Sequence, residues 1–270
     1  MINFSLSTKR LKSIFCLLLV VSLLGFVSCQ KQVDNGVIFQ NSTINALLEG
    51  VYDGELTIGQ MRKYGNLGLG TFNTLDGEMV VLDNHVYKVK AAGGNVYPVD
   101  DSEKTPFSVV TMFHPDKSVN TDKPMSLPEL QEYLDSLRAS QNIFYAFRIE
   151  GRFSYIKTRS VPPQKKPYPR LLEVVKNQPE FEFRNIDGYL VGFWMPSYMK
   201  DINVTGYHLH FLCKDKKKGG HLLACQTGKI KIDIDRIYGF KMLLPGTQEF
   251  LEMDLSGKSS GIDAVEKGRR

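Results

Sequence analysis

Cysteine is scarce in this chain, with four in 270 residues. One of the four lies inside an apolar leader and Cys29 ends that leader, so Cys213 and Cys225 remain for the folded part. A dense disulfide framework is therefore excluded as the source of stability. The roughly 240 residues after the leader are enough to bury a hydrophobic core without disulfides.

Long apolar runs and internal repeats are also missing. The most apolar stretch, Ile14–Val27, has the length of a signal-peptide core and is short for a transmembrane helix. Basic residues precede it, and a serine followed by Cys29 ends it, which resembles a bacterial lipoprotein signal. We therefore predict a signal peptide over residues 1–28, lipidation of Cys29 and anchoring to a bacterial membrane. An ordinary secretory signal, giving a periplasmic or secreted protein, is the alternative.

A strong charge of either sign is absent after the leader. The whole chain has 34 basic and 29 acidic residues, a net charge of +5. Lys9, Arg10 and Lys12 belong to the leader, and removing them leaves 31 basic against 29 acidic residues, or +2. This balance gives no indication of a nucleic-acid partner. A membrane would be contacted only through the lipid on Cys29.

Histidine is rare as well, with five in the chain, yet three of the five fall within fourteen residues. His208 and His210 are two apart in a strand-like segment, so their side chains share a face. The lysine-rich segment Lys214–Gly220 predicts a hairpin turn that returns His221 alongside them. Three imidazoles from two neighbouring strands match the ligands of a catalytic zinc ion that keeps an open position.

Two other interpretations of these histidines are possible. A His-X-His pair can arise by chance, and a single strand histidine is often a half-exposed polar residue. Cupin barrels also use His-X-His, but they place a glutamate a few residues later, and no glutamate lies between His210 and His221 here. The third histidine beyond the glycine pair favours a metal site.

The alternation of side chains also bears on the two cysteines of the predicted hairpin. Cys213 is three residues from His210, so it should face away from the metal ligands. Cys225 is four residues from His221, so it should face toward them. Side chains on opposite faces do not meet the geometry of a disulfide, and we expect both thiols to be free.

Periodicity, capping boxes and turn signals predict several short helices and many strands. The predicted helices are Ile44–Val51, one starting at Thr57, one opened by the Ser126–Glu129 capping box, and Arg170–Asn177. The predicted strands are a hairpin within Gly70–Leu82, His85–Lys90, Phe107–Phe113, Ile143–Arg159, Glu180–Arg184 and Tyr189–Met195 with a turn at Asp187-Gly188, the histidine hairpin, and Lys229–Arg236.

These elements indicate an α+β fold with two mainly antiparallel or mixed β-sheets and a few short helices. Four prolines between residues 162 and 169 suggest an irregular crossing loop. We place a boundary there, between an N-terminal α+β half, residues 29–160, and a β-rich half, residues 161–270. The metal site belongs to a hairpin of the second half, and we expect the two halves to share one core.

Several separated blocks of the sequence, taken in order, resemble the α-acetolactate decarboxylase family. The resemblance runs from about Leu47 to Glu266, almost the whole mature chain. Its blocks are Gly50–Gly54, Gly68–Asn73, Leu75–Glu78, Lys104–Phe107, Lys157–Pro162, Gly206–Phe211 and Gly219–His221. Several blocks in the right order are far more specific than any one of them.

The resemblance implies a carboxy-lyase that converts 2-acetolactate to acetoin with a zinc ion or another divalent transition metal. It implies that the metal is held by His208, His210 and His221. Four further residues match the family's catalytic positions: Thr71, Glu78, Arg159 and Glu266. By this analogy the metal chelates the ketone and hydroxyl oxygens of the substrate and the arginine orients its carboxylate. Glu78 or Glu266 then delivers the proton.

Other functions remain open from the residues alone. A three-histidine zinc site could instead use its bound water as a nucleophile, as in a hydratase or hydrolase. The chain could also be an exported lipoprotein that binds a ligand or a metal without catalysis. The sequence allows a homodimer without requiring one.

Overall fold

Strands form most of the structure, a computed structural model that describes residues 36–256 together with Ile262 and Val265. The predicted signal over residues 1–28 and Cys29 lie outside the described residues. The strands of the described part are β1 Val37–Asn41, β2 Leu56–Thr57, β3 Leu67–Thr71, β4 Glu78–Leu82, β5 His85–Val89, β6 Val96–Pro98, β7 Lys104–Thr105, β8 Ser108–Thr111, β9 Lys117–Thr121, β10 Phe144–Arg159, β11 Glu180–Met195, β12 Gly206–Cys213, β13 Gly219–Ile237 and β14 Gly239–Leu243. Its α-helices are α1 Ile44–Leu48, α2 Ile58–Met61, α3 Leu127–Leu137, α4 Leu171–Val174 and α5 Gln248–Glu252.

The first sheet has seven strands in the order β14-β1-β8-β3-β4-β5-β6. β14 runs parallel to β1 and the other neighbours are antiparallel, so the sheet is mixed. The hairpin predicted around Asp76-Gly77 joins β3 to β4 and pairs Thr71 with Glu78. Gly77 has a φ of +93°, and a Cβ there would lie 2.4 Å from the carbonyl oxygen of Val89. This turn therefore requires glycine.

The second sheet has five strands in the order β10-β11-β12-β13-β9. β10 pairs with β11 along one edge and with β13 along the other, while β12 joins β11 to β13. These four strands form a closed circuit of antiparallel pairs, and the predicted histidine hairpin, β12 and β13, is one side of it. The α+β prediction with two main sheets is confirmed, and β2 and β7 add a small two-stranded sheet.

The helices begin where the capping signals predict. Thr57 and Gln60 exchange side-chain and backbone hydrogen bonds at the start of α2. The N–H of Ser126 donates to Glu129 Oε2 at 2.8 Å at the start of α3. Such boxes satisfy backbone groups that have no partner inside the helix. None of the helices in the described part of the chain is long and apolar enough to cross a bilayer.

One apolar cluster draws side chains from both main sheets. Leu69 and Val80 come from the first sheet, and Ala146 and Phe193 come from the second. A second cluster contains the opposite faces of β10, β12 and β13 and the buried leucines of α3. The two faces of the histidine hairpin therefore belong to different environments. One face looks toward the first sheet and the other toward the interior of the strand circuit.

The predicted turn at Asp187-Gly188 is wrong, because β11 runs without a break through both residues. Gly188 pairs with Gly151 on one side and with Cys213 on the other. A Cβ on Gly188 would lie 2.5 Å from the ring of Phe211. Glycine is used here to admit an aromatic ring rather than to turn the chain. The separate strand predicted over Lys229–Arg236 is likewise part of the continuous strand β13.

The predicted orientation of Cys225 is also wrong. Thr158 of β10 pairs with Leu222 of β13, and Lys157 pairs with Ala224, so one extra residue of β13 lies between the two pairs. Such a bulge reverses the alternation of side chains beyond it. Cys225 consequently packs in the same apolar cluster as Cys213. The expectation of free thiols is confirmed, because both cysteines are buried and unbridged.

The packing of Gly188 gives a stability prediction. We expect Gly188→Ala to lower the free energy of unfolding by about 1–3 kcal/mol, because the added methyl meets the Phe211 ring and the Leu212 carbonyl oxygen. Urea denaturation measures this change. Gly246→Ala is the control, since the nearest atom there is the flexible end of Glu55. Equal stability of the two variants would contradict the close-approach argument.

Candidate active site

The three histidines meet on one face of the hairpin. His210 pairs directly with His221 across β12 and β13, and His208 lies two residues earlier on the same strand. The ring centroids are 5.1, 5.1 and 5.2 Å apart, and one ligand atom from each ring lies within 4.8 Å of the others. All three rings are buried, with exposures of 7%, 1% and 3%. The predicted convergence of the imidazoles is confirmed.

A glycine brings β10 close to this hairpin. Gly220 has a φ of +137°, and a Cβ there would lie 2.5 Å from the carbonyl oxygen of Arg159. Any side chain would push β10 away. With glycine in place, Arg159 pairs with His221 in the β10–β13 register. The guanidinium thus belongs to the same corner of the sheet as the histidines.

Burial keeps the imidazoles of His208 and His210 neutral. It is the main cause that lowers the pKa of His208 to about 3, and the charge of Arg159 adds to it. Burial and then the neighbouring His208 also hold the pKa of His210 well below its usual value. His210 Nδ1 lies 2.8 Å from the carbonyl oxygen of Met79. A neutral ring that donates there keeps the lone pair on Nε2, the form that a metal ligand needs.

Arg159 and Glu78 form a buried ion pair beside the rings. Arg159 Nη1 donates to Glu78 Oε1 at 2.9 Å, across 81 residues of sequence. The side chains of both residues are more than nine-tenths buried. The other oxygen, Glu78 Oε2, lies 3.6 Å from His210 Nε2. The two residues that only the family resemblance indicated therefore lie beside the histidines, one from each main sheet.

Thr71 supports the turn that precedes Glu78. Its Oγ1 donates to the carbonyl oxygen of Gly77 at 2.7 Å, and its backbone pairs with Glu78. It also lines the pocket at the histidines. Thr71, which the family resemblance implies to be a site residue, thus lies at the pocket. Its hydroxyl proton is donated to the backbone of the turn.

The C-terminal part of the chain reaches the same place. Arg159 Nη2 donates to the carbonyl oxygen of Val265 at 3.1 Å, and the side chain of Val265 is 2% exposed. Glu266, the next residue in the sequence and a predicted site residue, lies outside the described residues. The structure therefore brings together six of the seven predicted site residues and does not describe the seventh.

A small pocket contains these groups. Its remaining wall is mostly apolar and includes Leu47, Leu75, Phe107, Val161, Leu171 and Val265. None of these was predicted to be a site residue, because apolar residues that line a pocket have the same periodicity as those of the core. This mixed lining suits a small molecule with a few apolar substituents.

The donor set fits a divalent transition-metal ion. Three buried imidazoles converge and a carboxylate lies next to one of them, which is how proteins hold a catalytic zinc ion with a position left for substrate. His208, His210 and His221 are the residues that would hold it. Imidazole ligands also suit several other first-row ions, so the donor set does not select one metal.

Known proteins resemble this chain over most of its length. The sequence profile of the alpha-acetolactate decarboxylase family matches residues 38–257. An alpha-acetolactate decarboxylase from Methylococcus capsulatus is 46% identical over 219 residues, which are 81% of this chain and 84% of that protein. One from Methanosarcina mazei is 43% identical over 232 residues, 86% of this chain and 80% of that protein.

A solved structure shares the fold as well. The crystal structure of alpha-acetolactate decarboxylase from Bacillus subtilis strain 168 matches with a TM-score of 0.83 and 36% identity. The match covers 86% of this chain and 100% of that one. The fold, the profile and the sequence identities agree, and the chain belongs to the alpha-acetolactate decarboxylase family.

Proposed function

We propose that this pocket decarboxylates 2-acetolactate to acetoin with a divalent metal, most simply zinc. The observation that carries the proposal is the meeting of three buried imidazoles with a buried Arg159–Glu78 pair in one small pocket. The family membership supplies the substrate, a branched 2-hydroxy-3-keto acid. Its single carboxylate, two polar oxygens and methyl groups suit the mixed charged and apolar wall.

The reaction needs a place for the electrons of the broken bond. When carbon dioxide leaves, the electron pair of the carbon–carboxylate bond moves into the neighbouring ketone and gives an enediolate, which one proton converts to acetoin. A bound zinc ion would supply a Lewis acid for the ketone and hydroxyl oxygens of the substrate. The chain's own residues then have three tasks: to orient the carboxylate, to exclude water and to deliver the proton.

Arg159 is the group that orients the carboxylate. It has five N–H donors in a planar fork, and its buried Nε has no hydrogen-bond partner among the described residues. Tighter binding of the carboxylate in the ground state would not by itself speed its loss. A fixed guanidinium instead keeps the breaking bond aligned with the carbonyl π system.

Proton delivery is assigned to Glu266. Glu78 accepts a hydrogen bond from Arg159 in an ion pair, and an ionised carboxylate has no proton to give. Glu266 directly follows Val265, whose carbonyl oxygen is bonded to the same guanidinium. The apolar wall limits the access of water, so that a group of the enzyme protonates one face of the planar enediolate. The acetoin formed would then be a single enantiomer.

The proposed metal site can be tested at one of its ligands. We expect His210→Ala to lose most of its bound transition metal and at least about 100-fold in kcat, because one of three ligands is gone. Elemental analysis of the purified protein and an acetoin assay measure the two effects. His114→Ala is the control, since that side chain is exposed. The metal assignment fails if the wild type holds no stoichiometric transition metal.

Two variants distinguish the roles of Glu266 and Glu78. We expect Glu266→Gln to lower kcat by about 10²–10⁴-fold, the usual contribution of a general acid. The residual product should lose enantiomeric purity as water becomes the proton source. We expect Glu78→Gln to lower kcat and also to raise KM, because Arg159 loses its ionic partner. Chiral chromatography of the acetoin decides the question. Enantiomerically pure product from Glu266→Gln at full rate would remove Glu266 from this role.

We also propose that the protein is exported and carries a lipid on Cys29. The support is the sequence alone: a basic start, an apolar core of signal length and a serine before the cysteine. Mass spectrometry of the mature protein should show residue 29 at the N-terminus with diacylglycerol attached. Cys29→Ser should move the enzyme from the membrane fraction to the soluble fraction. An unmodified Cys29 in membrane-bound protein would disprove lipidation.

The homodimer stays a prediction, which analytical ultracentrifugation tests.

A further inference from the structure

Arg159 is fixed at two points, and only one of them is an ion pair. Its Nη1 donates to Glu78 Oε1 at 2.9 Å, and its Nη2 donates to the carbonyl oxygen of Val265 at 3.1 Å. Two bonds to different nitrogens set the rotation of a planar group, whereas one bond leaves it free to pivot. The Nε donor, which has no hydrogen-bond partner within the described residues, is thereby held in one direction.

The second point depends on a residue that is distant from Arg159 along the sequence. The carbonyl of Val265 belongs to a residue 106 positions beyond Arg159 in the sequence. Its position follows from the Val265 side chain, which is 2% exposed and belongs to the apolar cluster that also contains Leu47 and Leu171. The same side chain closes part of the pocket wall.

We propose that Val265 is a positioning residue. Its buried side chain holds its own carbonyl oxygen on Arg159 Nη2, and this bond keeps the guanidinium turned toward the carboxylate of the substrate. The inference rests on the proposed function, since it takes that carboxylate to be the ligand of Arg159. It assigns to Val265 a role that neither its apolar side chain nor its place near the chain end would suggest.

Two small ligands can test this with the full chain loaded with zinc. The anion 2-hydroxy-2-methylpropanoate keeps the hydroxyl and carboxylate of the substrate but has no ketone, so it cannot react by this route. Acetoin keeps the ketone and hydroxyl but has no carboxylate. We expect Val265→Ala to raise the inhibition constant of the anion by at least about tenfold, the scale of one charge-assisted hydrogen bond, and that of acetoin by less than about twofold.

Two further variants make the result specific. Val265→Ile keeps the side chain buried and should retain the wild-type ratio of the two constants. Val109→Ala removes the same two methyl groups from a valine of the same cluster that does not line the pocket, and it should leave the ratio unchanged. An unchanged ratio in Val265→Ala, or an equal change in Val109→Ala, would overturn the inference.

A spectroscopic readout covers the remaining outcomes. In protein with nitrogen-15 arginine, the Nη hydrogens of Arg159, assigned with Arg159→Lys, should exchange slowly in the wild type and faster in Val265→Ala. If the wild type makes no acetoin, the proposed function fails while this measurement still judges the role of Val265. If Val265→Ala does not fold, Val265→Thr replaces it, because its hydroxyl is unfavourable in the apolar cluster and weakens the packing of the side chain. Equal exchange rates in wild type and variant contradict the inference.

Discussion

The buried pair between Arg159 and Glu78 is the interaction on which the site depends. It joins the last residue of β10 in the second sheet to the first residue of β4 in the first sheet. Arg159 lies beside His221 in the strand register, and Glu78 lies beside His210, so this pair sets the distance between the charged groups and the rings. Two charges taken out of water are costly, and losing one partner of such a pair costs about 3–5 kcal/mol. The pair is therefore better understood as a device that specifies geometry than as a source of net stability.

The closed circuit of strands explains why the histidines can be so close without distorting the chain. His210 and His221 are cross-strand neighbours, and Gly220 lets β10 approach from the other side of β13. The bulge after Leu222 then turns Cys225 into the interior cluster. Without that bulge, regular alternation would point the thiol toward the face that carries the imidazoles, where a thiolate could compete as a metal ligand. The strand register thus places the imidazole nitrogens at the pocket and the sulfur of Cys225 in the interior cluster.

The local parts of this arrangement could be predicted from the sequence, and the long-range parts could not. His208 and His210 share a face by the period of a strand, and a turn signal returns His221, so the ligand cluster follows from local rules. Glu78 and Arg159 are 81 residues apart, and no periodicity links them. Only the resemblance to the α-acetolactate decarboxylase family predicted that both belong to the site. The turn predicted at Asp187-Gly188 is wrong because a tight turn and a close contact with an aromatic ring can both require glycine. The sequence alone does not distinguish the two.

Charge explains why this pocket would bind the acid in preference to the product of the proposed reaction. Burial lowers the pKa of His208 and of His210, so these two imidazoles are neutral, and Glu78 offsets the charge of Arg159. The carboxylate of the substrate brings one negative charge into a dry wall, where its attraction to the guanidinium is stronger than in water. Carbon dioxide and acetoin are both neutral, so once the enediolate is protonated this attraction ends. The arginine therefore favours binding of the acid over binding of the product. The apolar wall strengthens the attraction between the acid and the guanidinium, but the neutral product has no charge on which this attraction could act.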